Sequence, residues 1–520
     1  MSFRRILVAA TAAFLAWALT GPRAAARDLN VALSAEIRSN LPGGNRDANT
    51  DTVLQHIVEG LVGYAEDGTV KPLLARSVSV STDGRRYSFV LRDDVRFQDG
   101  TPMTANDVVW NWERYMRKET GWVCRRDFDG SQFVEVTRVW APDPSTVEVD
   151  LAAPTAILLQ LMARPECAGT GIISRSSFAT DGSFVAPIGT GPFKWVEWRR
   201  GEYIRLERYD DYRSTANTGA PDGMVGAKRP LIDGIKFSFI PDAATIQAGL
   251  NSGALDLAQI TADLIPDFKQ NPEIDLQVVR NFGKNLFYMQ TRDGVLKNVL
   301  VRRALAEALD LDQLVDGASN GTGRANPAMM PMGSPYYSAE QARRVPFDLA
   351  KAKQDLAAAH YKGEPITIIA NRRGTVPSYP AAIIAQAMWQ QAGLNVQIEV
   401  LDFATQVDRR RSGKYQIISQ SVAVQFDPAL METFFTGDKD RDRSLMWDDP
   451  KAIDLMKQAY SKADPAKRQA LFDAYHDLML DQVPGIFLYD GTDVWGVSKK
   501  IHGRPVWQAS PRLWEVTLDD

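Results

Sequence analysis

Along most of the chain the apolar positions switch between a period of two and a helical spacing, which predicts short strands interleaved with amphipathic helices. Residues 86–91 alternate apolar and polar after an Asp83-Gly84 turn and read as a strand, and Thr104 then caps a predicted helix running from Ala105 toward Met116. Residues 301–314 carry apolar positions at helical spacing, while residues 382–391 predict a helix that leads through Gly393 into an alternating strand at 395–400. Helix, glycine and strand in that order are the units of open α/β layers. No fixed-period repeat or low-complexity tract interrupts the pattern. A loop rich in Gly, Pro and Asn is expected at 317–335, and 215–230 reads as an exposed excursion.

The first residues follow a different rule. Arg4 and Arg5 precede an apolar run at 6–19, and Ala24-Ala25-Ala26 closes it with small residues, the pattern of a secretory signal peptide cleaved after Ala26. The run is shorter than the roughly 18 to 20 apolar residues a membrane span requires. No Cys follows it to carry a lipid. The expectation is an exported, periplasmic protein. Its 520 residues, 45% apolar and 24% charged, suffice for two or more cores and exclude intrinsic disorder, collagen and a disulfide miniprotein. Net charge is −4, and losing Arg4, Arg5 and Arg23 with the leader makes it −7, so no basic field invites nucleic acid. Cys124 and Cys167 are the two cysteines; they pair if their Cα atoms approach within roughly 7 Å, or else remain two buried thiols.

Signals for catalysis mostly fail. Gly317-Ala318-Ser319-Asn320-Gly321 matches the GxSxG string, but a helix precedes it where a nucleophile elbow needs a strand. SxxK, Walker A and HExxH are absent, and His56, His360, His476 and His502 stand singly, so no metal site and no cofactor is expected. Asp438-Lys439-Asp440-Arg441-Asp442 copies the opening of a calcium loop, yet Arg443 replaces the sixth-position Gly and the interleaved cations oppose a divalent ion. A solvated loop of alternating charge is the better reading.

Several segments in order resemble one family. Ile57-Val58-Glu59-Gly60-Leu61-Val62, Asp67-Gly68, Lys71-Pro72-Leu73-Leu74-Ala75, Ser81-Thr82-Asp83-Gly84 and the run from Leu91 through Asp99-Gly100 closely resemble the dipeptide- and oligopeptide-binding proteins of bacterial ABC importers, the family 5 extracellular solute-binding proteins. Pro187-Ile188-Gly189-Thr190-Gly191-Pro192-Phe193, Leu206-Glu207-Arg208-Tyr209-Asp210-Asp211-Tyr212, Val301-Arg302-Arg303-Ala304-Leu305 and Phe347-Asp348-Leu349-Ala350-Lys351-Ala352 extend the likeness, which covers about 57–503.

The resemblance implies an α/β, two-lobed periplasmic-binding-protein fold with hinged lobes, mixed sheets and an extra subdomain in lobe I. The expected boundaries are 1–26 for the signal peptide, 27–281 for lobe I with its subdomain at about 77–180, 282–489 for lobe II, and 490–520 for the return to lobe I, with crossings near 282–290 and 486–496. Both cysteines then fall in or beside the subdomain, which favours their pairing. The implied partners are a solute held between the lobes and the membrane subunits of an importer whose ATPase subunits are separate chains. A monomer is expected.

Site residues carry over one by one. An Arg fourteen positions before Gln386 is the implied carboxylate clamp, and that residue is Arg372; the aromatic seventeen positions after Gln386 is Phe403, for which a core role is the alternative. Arg373 and Arg38 add positive charge, although 372–374 also reads as a solvated basic turn. Where peptide-binding relatives place an Asp for the ligand's ammonium, three residues before an acidic-Pro pair, this chain has Val424, followed by Gln425, Phe426 and the pair Asp427-Pro428, of which Gln425, Phe426 and Asp427 are expected ligand contacts. Valine cannot neutralise an ammonium. The expected ligand therefore carries an anionic group and lacks a conventional peptide N-terminus, with peptides, opine-like solutes and glycosides as the classes in view. An exported hydrolase and a chaperone-like binder are the rival classes.

Overall fold

A computed structural model of the chain describes residues 27–216, 219–292, 294–374 and 376–519, so the leader at 1–26 lies outside the described residues. The architecture is two-lobed. One mixed sheet of ten strands runs through both lobes in the order Val396–Val400, Ile366–Ala370, Ile417–Val422, Ile274–Met289, Gly485–Ser498, Leu257–Ile260, Asp28–Leu33, Gly234–Phe239, Tyr203–Arg208, Phe193–Arg199. By the boundaries expected from the resemblance, the first three strands fall in lobe II and the last five in lobe I. Ile274–Met289 and Gly485–Ser498 are the long antiparallel pair between them. Their ladder slips between Arg280 and Lys284. There the Asn281 side-chain amide donates to Asp493 at 2.6 Å and its carbonyl accepts from Gly283 N at 2.8 Å. Opposite, a Cβ on Gly491 would lie 2.1 Å from Asn281 Oδ1, so a side chain there would have to displace the Asn281 amide from these bonds.

A second sheet, antiparallel in the order Ala75–Val80, Arg86–Leu91, Thr146–Leu151, Val136–Asp143, packs against the helix Ala105–Met116. That helix starts as its sequence predicts: Thr104 and Asp107 cap one another's orphan groups in a capping box. Arg86–Leu91 is a strand, and the helix Ser378–Gln391 feeds Val396–Val400. Among the described residues no helix is long and apolar enough to cross a membrane.

Four expectations need correction. The helical pattern at 301–314 is two helices, Val299–Glu307 and Leu311–Ser319, because Asp310 interrupts it and caps the second by accepting from Gln313 N. The second helix then runs into the expected loop as far as Ser319, and beyond it Asn326, Ala328, Met329 and Met330 are buried rather than exposed. The GxSxG serine is the last residue of that helix, its hydroxyl donating to Val315 O at 2.6 Å. Within 215–230, Lys228 is fully buried and its ammonium meets Glu59 at 2.7 Å. In the calcium-like loop, Lys439 is buried and donates to Met446 O at 2.9 Å and to Gln290 Oε1, so that loop is anchored, not solvated throughout.

Candidate functional site

Between the lobes lies a cavity of about 520 Å³. Lobe I lines it with two turns. One contains the short helix Arg125–Phe128; the other is the 3-10 turn Pro165–Thr170, in which Ala168, Gly169 and Thr170 take left-handed conformations with φ of 58°, 57° and 48°. Cys124 and Cys167 join the two turns in a disulfide with Cα atoms 5.5 Å apart, and Trp122 Nε1 donates to Cys167 O at 3.2 Å. On the cavity wall Arg164 donates to Asp127 at 2.7 Å and to Glu166 at 2.9 Å. Burial pushes the Asp127 carboxyl up to about 6 against the opposing pull of Arg164. Arg46, which also lines the cavity, holds Asp51, whose burial pushes it up to about 7.

Lobe II contributes the last turn of the helix Phe403–Arg411. Three arginines there complement the helix C-terminus, and Arg410 and Arg411 reach the cavity wall. Neither has a carboxylate within 4.0 Å among the described residues. Arg410 sits 5.5 Å from the Tyr288 ring, and its buried Nε and the Tyr288 hydroxyl have no hydrogen-bond partner among the described residues. Asp442, Gln425 and Phe434 complete that wall. The cavity thus counts four guanidinium groups against three carboxylates, with the surplus on the lobe II side.

Of the residues expected from sequence, Gln425 lines this cavity, donating across the lobes to Glu166 at 3.3 Å. Asp427 does not. Its carboxylate is buried and receives Arg468 at 2.8 and 3.0 Å, and it caps the helix Pro428–Glu432, so both its oxygens are already engaged. Phe426 is buried between Tyr64 and Trp507, stacked at 4.1 and 5.3 Å, so this lobe II ring is packed into lobe I. Val424 packs against the same apolar cluster. Arg38 is exposed, 3.5 Å from Asp47. Arg372 bonds the Tyr379 hydroxyl at 3.0 Å and covers its ring, while Arg373 lies 3.8 Å over Phe403. Phe403 is 37% exposed, which excludes the core alternative. This cluster approaches lobe I near Thr261 and stands apart from the cavity lining.

The residues missed from sequence are Arg46, Asp127, Arg164, Glu166, Arg410, Arg411 and Asp442. The run Arg409-Arg410-Arg411 was the one visible signal, and at a helix end it reads equally well as dipole compensation. Cys124, Asp127 and Cys167 hold donor atoms within 4.8 Å of one another, the one such trio among the described residues, but the bridge uses both sulfurs and leaves a metal only Asp127.

Residues 69–442 match the family model described as bacterial extracellular solute-binding proteins, family 5 Middle. The chain is 24% identical over 478 residues to the dipeptide-binding protein DppE of Bacillus subtilis (strain 168), covering 86% of this chain and 84% of that protein. It is 26% identical over 517 residues to the glutathione-binding protein GsiB of Pectobacterium atrosepticum, covering 96% and 95%. Among solved structures, the PBP AgaA in complex with agropinic acid from A.tumefacien R10 superposes with a TM-score of 0.72 at 24% identity, covering 95% of this chain and 99% of that one.

Proposed function

The chain belongs to the bacterial extracellular solute-binding proteins of family 5, and on that premise we propose that its interlobe cavity captures a small organic acid, peptide-like or opine-like, whose carboxylate docks on Arg410 and Arg411. It is a periplasmic solute-binding protein that delivers a small molecule to an ABC importer, a role in transport rather than catalysis. The finer reading rests on one observation: two guanidinium groups reach the cavity from lobe II without a carboxylate partner. A ligand carboxylate there would gain charge-assisted, bidentate bonds. By touching both walls it would favour the closed arrangement over the open one. Asp427, engaged by Arg468, and Val424, packed into an apolar cluster, support a ligand without a free peptide N-terminus. A zwitterionic peptide is the second reading, favoured by the Asp442 carboxylate on the lobe II wall. We further propose lobe I as 27–281 with 490–520, lobe II as 282–489, cleavage after Ala26 and a monomeric chain.

The test is a melting-temperature screen of protein freed of ligand by unfolding and refolding, against free dipeptides, N-acetylated dipeptides, glutathione, agropinic acid and uncharged glycosides. A ligand at about a hundred times its Kd adds roughly 2.7 kcal/mol to native stability. The expected result is a shift with the carboxylates that Arg410→Ala removes, since truncating one partner of a buried charge pair loses about 2–5 kcal/mol. A shift with glycosides alone, or one indifferent to Arg410, refutes the reading.

A further inference from the structure

The Cys124–Cys167 bridge borders the cavity through Cys124, while both cysteines are buried in the lobe I core beneath it. Cys124 lines the cavity itself, and a carboxylate oxygen of Asp127 lies within 4.8 Å of both sulfurs. Backbone bonds connect each cysteine to the charged groups beside it: Asp127 N donates to Cys124 O at 3.0 Å, and Cys167 N donates to Arg164 O at 3.0 Å. The turn carrying Cys167 contains Ala168 and Thr170 in left-handed conformations, which disfavour non-glycine residues. Apart from the bridge, the two turns are tied by the Arg164–Asp127 ion pair, by Trp122 Nε1 donating to Cys167 O at 3.2 Å and by the packing around Trp122.

We propose that the Cys124–Cys167 bridge positions Arg164 in the cavity, so that affinity for a carboxylate solute depends on whether the bridge is formed; this rests on the cavity being the solute site. A dithiol opens the bridge by supplying two electrons and two protons. The S–S bond breaks to two thiols, and the dithiol closes to its own cyclic disulfide. Freed of the crosslink, the turn moves relative to Asp127, and Arg164 loses the orientation its two carboxylate partners share.

Native protein is compared with protein treated with dithiothreitol and with Cys124→Ser/Cys167→Ser, with thiol counting to verify opening and far-UV circular dichroism to verify the fold. Should the double variant fail to fold, the dithiol-treated protein carries the test. Amide exchange, which needs no ligand, is expected to accelerate at 124–128 and 162–170. In the melting screen the carboxylates are expected to bind about tenfold more weakly when the bridge is open, while in Arg164→Ala the bridge state changes affinity less than about twofold, because the two changes act through one group. Unchanged exchange with unchanged affinity, or an equal loss with and without Arg164, overturns the proposal. If Arg410→Ala and Arg411→Ala leave every carboxylate shift intact, the cavity reading has failed and the proposal falls with it; if they abolish the shifts and bridge opening does nothing, the proposal fails alone.

Discussion

Replacing Phe426 by Ala removes a ring that lobe II inserts between Tyr64 and Trp507 of lobe I, beside Phe282 of the first crossing strand. The side chain is 6% exposed. Truncating a buried Phe removes about 3–5 kcal/mol, of which each ring pair contributes about 0.5–1.5 beyond area burial. If separation of the lobes withdraws the ring from its slot, most of that difference falls on the closed state alone. At 1.4 kcal/mol per decade, a loss of about 3 kcal/mol lowers the closed-to-open ratio about a hundredfold. Apparent affinity scales with the competent fraction, so up to about that factor is lost, and it is the same for every ligand because Phe426 does not line the cavity. Small-angle scattering of the ligand-free variant should give a larger radius of gyration than the parent, and calorimetric titration should give uniformly weaker binding with the order of preference kept. If the melting temperature drops while scattering and affinities stay put, the ring is packed equally in both arrangements and the reasoning is refuted.

Arg468→Met leaves Asp427 buried without its cation and is expected to remove about 3–5 kcal/mol in a urea titration, where a loss under about 1 kcal/mol would mean the carboxylate finds another partner. Asp51 at about 7 and Asp127 at about 6 are raised above their unfolded values, so the folded state binds protons more tightly, and their contribution is complete below about pH 4 and lost as pH rises to 7. Melting temperature should therefore fall across that window more steeply in the parent than in Asp51→Asn/Asp127→Asn; parallel profiles would exclude the two groups. Arg372→Ala, by contrast with Arg410→Ala, is expected to change affinity by less than about twofold, since its guanidinium is occupied by Tyr379; a larger loss at Arg372 would move the clamp to that loop.

How much of this was legible depended on whether a residue's role is set locally. Thr104 and Asp107 stand three apart, so a capping box could be read directly and is present. The strand Arg86–Leu91 announces itself by its alternation of apolar and polar positions, whereas the crossing strands are placed only through the family resemblance. The break at Asp310 was hidden because both flanking helices turn apolar faces to one core. Charged Lys228 and Lys439 read as solvated because their partners, Glu59 and Gln290, lie far off in the chain. The cavity suffers most from this. Its wall comes from Arg46, the turns around Asp127 and Glu166, and Arg410 onward, and no spacing rule links segments that distant. Counting from Gln386 found Arg372, which bonds Tyr379 and lies outside the lining of this cavity.

The twofold crossing of the chain also bears on how the molecule is made. The residues between the two crossings form one unbroken stretch, whereas Leu257–Ile260 in lobe I must wait for its neighbour Gly485–Ser498 to be synthesised. Trp495, Val497, Leu513 and Val516 then fill the same core as Leu29 and Val31, and Leu513 N donates to His56 Nε2 at 3.2 Å. Contacts spanning that separation close slowly, so lobe II can mature while lobe I is still open. A chain truncated before residue 495 would leave lobe I without a wall of its core, exposing apolar strands to proteases and to aggregation in the compartment it is delivered to.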